Sequence, residues 1–449
     1  MENKQKEFIY FPSLSAGGFA SALIKNEKLS SGVPCRFYSD EYPESFRHKY
    51  FLVTAGHYYK KMDIREQMGL GKDVLVFGDS GGYQIATGAL KYSDDLREKI
   101  FHWLEANSDV AANLDIPPRA TYENRFTDSM DISFDNFKWF EKHQSGKTKF
   151  LNVIQGTYSE EYHEWYHKFK DFDFNGWCIG GPKKLVDFMY VVALMLKERE
   201  FEKKHVQFVH LLGISKISDF YILSTLQKLL NEHTGGRIQL STDSSSPGQY
   251  PVFGTYLHSA NHKTQTFTEL YFPKNAEYRR KTHIKQGKES VTIDKTKHVP
   301  CSLDCPACKD FTYDYLGGQT AKGLDRYSQE GMPRMVIHNT HLYVDIAKDV
   351  VLGKNIINEL SINSTNNARR SAFYRLALDN INKLYPGESG NLETFKSNFR
   401  NELKNILGPD IKKVPFSINE VIGLSTGESR GIQPFSVFVD VVDTNISPN

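Results

Sequence analysis

Three acidic residues stand where short apolar runs of the sequence end: Asp79, Asp115 and Asp243. A carboxylate attacks an anomeric carbon well because the sugar transition state is cation-like, and a second carboxyl group must then protonate the leaving group. Asp243 lies beside small hydroxyl residues that could hold it by hydrogen bonds, so it is the candidate nucleophile, and Asp79 is the candidate proton carrier. The competing interpretation of Asp243 is that it caps the next helix.

Two glycine turns also follow apolar runs, Ser80-Gly81-Gly82 and Gly180-Gly181. Glycine lets a flat ligand approach the backbone closely, and backbone amides there can bind a carbonyl or phosphate oxygen. We therefore predict that both turns contribute to a ligand pocket. The alternative for the first turn is a strand-to-helix connection with a capping side chain, and for the second it is an ordinary loop.

Asp115 and Gln155 are candidates for reading the edge of a nucleobase. An aspartate accepts hydrogen bonds from ring N–H and exocyclic amine groups, whereas glutamine offers both a donor and an acceptor. Each residue could instead be a buried polar side chain whose hydrogen bonds are satisfied within the protein.

A cluster of cysteines in the last third of the chain predicts a structural zinc site. Three thiolates at close spacing and one imidazole satisfy a tetrahedral zinc ion and leave no open position for catalysis. The predicted ligands are Cys301, Cys305, Cys308 and His338. His341 and His298 are the reserves for the imidazole, and the alternative is three unrelated reduced cysteines.

The elements that must position these residues follow a β–α alternation, which is typical of a parallel sheet. The eight predicted strands are Phe8–Pro12, Tyr50–Thr54, Val74–Gly78, Val110–Leu114, Phe150–Ile154, Trp177–Ile179, Val206–Leu212 and Ile238–Ser241. The predicted helices are Asp94–Ala106, Asn124–His143, Ser159–Phe169, Leu185–Glu200, Ser218–Asn231, His338–Val350, Asn367–Leu384 and Leu392–Leu407.

A (β/α)8 barrel explains this pattern better than a doubly wound open sheet, which could also hold eight strands. The candidate site residues fall at the carboxyl ends of several strands, where barrel enzymes place their chemistry. We predict a barrel catalytic domain over residues 1–295, an inserted or appended zinc-binding subdomain over 296–350 and a mainly helical extension over 351–449. A β-like run at Phe435–Val442 carries no motif.

Composition is that of an ordinary globular protein, with 449 residues, 39% hydrophobic residues and a formal net charge of +2. Nucleic-acid binding would therefore need a local basic patch, and the run Arg279–Lys288 could contact phosphates or form a solvated loop. We see no apolar window of about 18 residues, which a membrane helix requires, and no secretory signal at the N-terminus. Five cysteines without a disulfide pattern favour a reducing, cytoplasmic location.

Taken together, these motifs resemble the guanine transglycosylase family, which includes tRNA-guanine transglycosylases and DNA-modifying relatives. The family's Asp-Ser-Gly-Gly-(Phe/Tyr)-Gln signature is matched by Asp79–Gln84, and its Val-Gln-Gly and Ile-Gly-Gly segments look like Ile154–Gly156 and Ile179–Gly181. Its Leu-Met-Gly-Val strand looks like Leu211–Ile214, and its nucleophile segment resembles Asp243–Ser245. The likeness spans roughly residues 70 to 350, in the same order along the chain, and includes the zinc ligands.

The resemblance implies a base exchange in which Asp243 expels guanine and a 7-deazaguanine such as preQ0 takes its place. Asp79 would carry the proton, and Asp115, Gln155, Ser80 and the glycine turns would bind the base. The N-terminal and Asp79 segments look more like phage and bacterial enzymes that act on DNA, so DNA is the favoured polymer, tRNA is the alternative, and a phage protein would work in the host cytoplasm. Family members often dimerise, so a homodimer is also expected.

Some features depart from the family, and two other classes compete with it. The Cys-x3-Cys spacing is two residues longer than the usual form, and the segment around Asp115 keeps little beyond the acid. A glycoside hydrolase of barrel fold would also use two carboxylates but would not need the cysteine cluster. A noncatalytic partner subunit would be expected to lose the nucleophile, which is present here.

Overall fold

The barrel predicted from the sequence is the core of the protein in a computed structural model. The structure describes residues 5–14, 17–60, 63–118, 126–156, 158–181, 185–271, 283–286, 289–292, 295–316, 323, 326–351, 367, 371–372, 374–375, 378, 381 and 392–407. The run Phe435–Val442 and most of the basic run Arg279–Lys288 lie outside these residues. No helix in the described ranges is long and apolar enough to cross a membrane.

Eight parallel strands form one sheet that nearly closes on itself. They are β1 (Ile9–Pro12), β2 (Tyr50–Thr54), β3 (Leu75–Asp79), β4 (Val110–Ala112), β5 (Lys149–Ile154), β6 (Gly176–Ile179), β7 (Phe208–Leu211) and β8 (Gln239–Ser244). Strands β2 to β8 pair in chain order and β1 pairs with β8, while a parallel bridge from Ser13 to Leu52 links the end of β1 to β2. All eight predicted strands are confirmed, with ends that shift by a few residues.

Helices surround the barrel. They are α1 (Gly17–Ile24), α2 (Ala55–Tyr58), α3 (Ile64–Met68), α4 (Gly82–Ala86), α5 (Asp94–Asn107), α6 (Phe126–His143), α7 (Ser159–Phe169), α8 (Leu185–Lys197), α9 (Ile217–Thr234) and α10 (Ser246–Val252). Two more follow the barrel, α11 (Met332–Val351) and α12 (Leu392–Leu407). The described residues between 367 and 381 are also helical, in agreement with the predicted extension.

A second, antiparallel sheet, which was not predicted, follows the barrel strands in the chain and precedes the cysteine cluster. Its strands are β9 (Thr255–Asn261), β10 (Thr266–Tyr271), β11 (His283–Gln286) and β12 (Glu289–Thr292), paired in chain order. The turn between β9 and β10 is held by Asn261, whose side chain accepts a hydrogen bond from the Thr264 amide at 3.0 Å. Polar residues interrupt the apolar pattern of these strands, so their apolar periodicity is weak.

Helix α11 packs the cysteine region onto the barrel. Its Tyr343 ring stacks on Tyr10 of β1, with ring centroids 5.6 Å apart. The side chain of Asn339 accepts a hydrogen bond from the Leu257 amide in β9 at 3.0 Å. Helix α11 therefore contacts both the barrel and the second sheet.

Candidate active site and metal centre

The loop after β3 is built so tightly that it requires glycine. Asp79 ends the strand, and its Oδ1 accepts a hydrogen bond from the Gly81 amide at 3.3 Å. Gly81 has a φ of 90°, which favours glycine. A Cβ placed there would also lie 2.8 Å from the Gly56 Cα. The turn is therefore fixed both by its backbone conformation and by close packing against the loop after β2.

The same loop is pressed against the end of β4. The buried Ser80 hydroxyl donates to the Asn113 carbonyl at 3.0 Å. A Cβ on Gly82 would lie only 2.1 Å from the Asp115 carbonyl oxygen. This contact helps to set the separation of Asp79, at the end of β3, and Asp115, in the segment after β4. It also directs the Ser80 hydroxyl into the protein rather than towards solvent.

Asp115, Gln155 and the second glycine turn form one contiguous group across strands β4 to β6. The Gln155 Nε2 donates to the Asp115 Oδ2 at 2.8 Å, and both side chains are buried. A Cβ on Gly180 would lie 2.5 Å from that Nε2, and one on Gly181 would lie 2.5 Å from the Gly156 carbonyl oxygen. The two glycines therefore leave room for the amide of Gln155 to reach Asp115. The predicted base-reading residues are brought together and bonded to each other.

Burial favours the protonated form of two of the three carboxyl groups. It raises the pKa of Asp115 to about 7, against the opposing hydrogen bond from Gln155. Burial also raises the pKa of Asp79, although hydrogen bonds from Thr54 and Gly81 oppose it, and the negative charge of Asp243 raises it further. Because a raised pKa makes a carboxyl group easier to protonate, Asp79 is a candidate general acid.

Asp243 lies in β8, one residue before the end of the strand, and its side chain is 15% exposed. Its Oδ1 accepts a hydrogen bond from the Gly213 amide, in the loop after β7, at 2.9 Å. The first turn of α10 is instead bonded by Ser244, whose hydroxyl accepts from the Ser246 amide. The interpretation of Asp243 as a helix cap is therefore wrong. The Gly213 amide holds Oδ1 of Asp243, whereas Oδ2 takes no part in that hydrogen bond.

His210 is a site residue that the sequence analysis missed. It lies in β7 with its ring fully buried, stacked on Phe77 with ring centroids 4.0 Å apart. Its Nδ1 lies 2.9 Å from the Ser241 hydroxyl and its Nε2 lies 3.4 Å from the Asp243 Oδ1. A histidine three residues before a Gly in an apolar run gives no signal of its own. The pairing of β7 with β8, which places His210 opposite Ser241, is what identifies it as a site residue.

The exposed large apolar side chains of the described residues lie in segments that follow strands of the barrel. Tyr83 follows β3, Tyr158 follows β5, and Val252 with Phe253 ends the helix after β8. Tyr158 is the most exposed, at 64%. An exposed aromatic face of this kind is free to stack on a flat ring.

The Cys3His cluster, which is Cys301, Cys305, Cys308 and His338, has the geometry of a metal site. Its ligand atoms all lie within 4.8 Å of one another. Each sulfur lies 3.4 Å from the His338 Nδ1, and the two measured sulfur–sulfur distances are 3.9 and 3.3 Å. A tetrahedral zinc ion would hold such atoms about 3.5 to 3.8 Å apart. The four residues therefore fit one ion with closed coordination.

The surroundings of the cluster orient His338. The His338 Nε2 lies 2.8 Å from the Leu257 carbonyl oxygen, which fixes the proton on that nitrogen and leaves Nδ1 as the ligand. The Tyr256 ring stacks on the imidazole, and its hydroxyl donates to the Pro300 carbonyl at 2.7 Å. This arrangement matches the usual support of a metal-binding histidine.

The two reserve histidines have other partners. The His341 Nε2 lies 3.0 Å from the Tyr42 hydroxyl, and its Nδ1 lies 2.9 Å from the His48 Nε2. His298 pairs through its backbone with Thr312. Among the described residues, His338 is thus the imidazole that completes the Cys3His cluster.

Comparison of the chain with protein-family models and with curated proteins finds no match. The resemblance to guanine transglycosylases therefore stays an expectation from the motifs. What the structure contributes is the placement of those motifs: three carboxyl groups, a glutamine and two glycine turns at one end of a parallel barrel, and a cluster that could hold a metal ion beside it.

Proposed function

We propose that the protein is a base-exchange transglycosylase that replaces guanine in DNA with a 7-deazaguanine. The observation that carries the proposal is the division of labour among the carboxyl groups. Asp243 has one oxygen held by the Gly213 amide, whereas the pKa of Asp79 is raised, so that its carboxyl group keeps a proton more readily than an ordinary carboxyl group does. A nucleophile and a proton carrier are the two groups that such an exchange requires.

In this reaction Asp243 attacks C1′ of the target nucleoside. The C1′–N9 bond breaks, its electron pair goes to the departing guanine, and the carboxyl of Asp79 protonates that base. The incoming 7-deazaguanine then gives its N–H proton to Asp79 and bonds to C1′, which releases Asp243. Two displacements on the same carbon retain the sugar configuration.

The pair of Asp115 and Gln155 is proposed to recognise the base. Asp115 can accept from N–H and amine groups of a purine edge, and Gln155 can present its remaining donor and acceptor. Their mutual hydrogen bond of 2.8 Å orients both amide and carboxyl groups before the base arrives. The turn of Gly180 and Gly181 lies beside them and completes the proposed pocket, with Ser80 to Gly82 on the other side, although the Gly180 amide itself donates to the Ile154 carbonyl at 2.9 Å.

The exposed aromatic side chains support a nucleic-acid polymer as substrate. Tyr158 lies in the segment after β5 and Phe253 ends the helix that follows β8, and both rings are exposed; stacking on such rings holds unpaired bases of any sequence. Because the target base must leave a duplex to enter the barrel, the flanking bases would be unstacked too. DNA is the proposed polymer on the strength of the motif resemblance, and tRNA is the alternative.

The proposed metal is zinc in a structural role. Three thiolates and one imidazole satisfy four-coordinate zinc and leave no position for water or substrate. Bound zinc would cross-link the segment 301–308 to helix α11, and His338 and the three cysteines would hold it. The proposal assigns the metal no part in the reaction.

The test is incorporation of radiolabelled guanine and labelled 7-deazaguanines into duplex DNA, single-stranded DNA and bulk tRNA, side by side. We expect label in DNA that survives denaturing purification and is abolished by Asp243→Ala. Asp310→Ala, a change of another acidic side chain outside the barrel mouth, is the matched control and should keep full activity.

The other outcomes are equally informative. Label in tRNA alone would keep the chemistry and overturn the choice of DNA. Release of reducing sugar from a glycoside without base exchange would indicate a glycoside hydrolase. No label in any polymer, with intact folding and metal content, would contradict the proposal and favour a noncatalytic partner subunit.

A further inference from the structure

The His210 ring is held rigidly beside the proposed nucleophile. Its faces pack on Phe77, at 4.0 Å between centroids, and its edge meets Phe11, at 6.0 Å. One ring nitrogen, Nδ1, contacts the Ser241 hydroxyl at 2.9 Å. The other, Nε2, is buried without a well-aligned hydrogen bond and lies 3.4 Å from the Asp243 Oδ1.

We infer that His210 is a positioning residue that selects which oxygen of Asp243 attacks the sugar. The inference rests on the proposed function, and it assigns His210 no contact with substrate. Oδ1 already accepts from the Gly213 amide at 2.9 Å. A second donor on the same oxygen would fix Oδ1 in place and leave Oδ2 as the atom that bonds to C1′.

The proton position follows from the neighbours of the ring. If Nδ1 carried the proton, the lone pair of Nε2 would face an ionised carboxylate oxygen at 3.4 Å, which is repulsive. If Nε2 carries the proton, its N–H faces Oδ1 in an attractive contact at 3.4 Å, and Nδ1 accepts from the Ser241 hydroxyl. An ionised Asp243 therefore favours the Nε2–H tautomer, and Ser241 supplies the donor that this tautomer needs.

The hydrogen bond changes strength during the reaction. In the covalent intermediate Oδ2 is bonded to C1′, and Oδ1 becomes an ester carbonyl oxygen with little charge. When the incoming base displaces Oδ2, the electron pair of the C1′–Oδ2 bond returns to the carboxylate, and the Nε2–H and Gly213 N–H stabilise the charge that reappears on Oδ1. Loss of the Nε2 donor should therefore slow release from the intermediate more than it slows attack.

The kinetic test compares His210→Phe with His210→Gln, whose amide can place an N–H near the position of Nε2. We expect His210→Phe to lower kcat by about 10- to 100-fold, the loss expected from one hydrogen bond to a charged group, with KM for the base unchanged. The covalent adduct between enzyme and polymer should accumulate at saturating base. His210→Gln should recover most of kcat and remove the accumulation.

A matched control separates positioning from stability. His48→Phe also removes a buried imidazole, and it should lower thermal stability without any accumulation of adduct. Equal loss of kcat in the Phe and Gln variants, or an unchanged adduct fraction in His210→Phe, would overturn the inference.

A second measurement does not depend on activity. Nitrogen NMR of histidine-labelled protein at pH 7 should show the Nε2–H tautomer for His210, assigned by its absence in His210→Gln, and Asp243→Ala should change that tautomer balance. An Nδ1–H tautomer in the unaltered protein would overturn the inference. If the unaltered protein forms neither product nor adduct, the proposed function fails, while the tautomer still decides the role assigned to His210.

Discussion

The barrel mouth and the Cys3His cluster both hold polar groups in buried surroundings, but they differ in how completely those groups are matched by partners. At the mouth, burial raises the pKa of Asp115 to about 7, and the Nε2 of His210 has no well-aligned partner. In the cluster, four ligand atoms converge and the remaining nitrogen of His338 bonds to a backbone carbonyl. Groups left short of partners cost stability and are available for chemistry, whereas the cluster is closed and suits a structural role.

Hydrogen bonds of one residue, Asn339, link the two regions. Asn339 follows the proposed ligand His338 in helix α11, and its side chain contacts the Pro247 carbonyl in α10 at 3.4 Å and the Leu257 amide in β9 at 3.0 Å. Helix α10 begins two residues after β8 ends, and β8 carries Asp243. Through Asn339, the helix that carries His338 therefore contacts the segment that follows the proposed nucleophile.

The largest expected effect is on activity, and it concerns the barrel mouth alone. Asp243→Ala should lower base exchange by about 10⁴-fold or more, as removal of a nucleophile does, because no neighbouring group can take its place on the sugar. Metal content, measured by elemental mass spectrometry, and the melting temperature should stay near those of the unaltered protein. Substantial residual exchange would break the assignment of Asp243 as the nucleophile.

Loss of the metal should have the opposite signature. Cys308→Ser is expected to abolish stoichiometric zinc and to lower the free energy of unfolding by about 4 kcal/mol or more, since binding of a structural metal contributes directly to folding. Denaturant unfolding and elemental mass spectrometry report the two effects. Cys35→Ser, another buried cysteine, is the control and should keep the metal. A zinc-free protein of unchanged stability would contradict the structural role.

The elements and site residues of the two regions could be predicted from the sequence to different extents. The strands and the Cys3His ligands were predictable because apolar periodicity and ligand spacing are local signals. The antiparallel sheet β9–β12 was not, since polar residues interrupt the apolar pattern of its strands. His210 and Asn339 were also missed, because their roles arise from strand register and helix packing, which bring together residues distant in the chain.

The cost of burying Asp115 should appear in the pH dependence of stability. The folded carboxyl keeps its proton up to about pH 7, whereas in the unfolded chain it ionises near pH 4. Between these values the unfolded state binds fewer protons, so the free energy of unfolding falls as pH rises, by up to about 4 kcal/mol in total. Above pH 7 the loss is complete.

Asp115→Asn removes that titration while keeping an oxygen for the Gln155 amide to bond. The variant should therefore be more stable than the unaltered protein at pH 8 and equal to it at pH 4, as measured by urea unfolding at both values. The matched control Asp304→Asn changes an aspartate outside the barrel mouth and should show no such pH-dependent gain. A constant difference across the range would show that burial of Asp115 is not costly.

The link between the two regions can be tested by a substitution of Asn339. Asn339→Leu should leave the Leu257 amide without its acceptor and destabilise the protein by about 1 to 3 kcal/mol, the penalty for a buried unsatisfied group. Zinc should remain bound, because His338 and the cysteines are unchanged, while exchange activity should fall through displacement of α10. Loss of stability with full activity per folded molecule would mean that the contact between Asn339 and α10 does not support the segment after Asp243.

The smallest effect is expected at the edge of the barrel mouth and concerns binding alone. Tyr158→Ala should weaken binding of single-stranded DNA by about 1 to 3 kcal/mol, the contribution of one stacked base, and Tyr158→Trp should restore it. Because Tyr158 is 64% exposed, neither change should alter the melting temperature or the zinc content. Fluorescence anisotropy measures the affinity, with Val252→Ala as the control, since an exposed aliphatic side chain cannot stack on a base. Equal losses from Tyr158→Ala and Val252→Ala would assign the mouth a general apolar contact instead of base stacking, and would leave the carboxyl groups as its sole link to nucleic-acid chemistry.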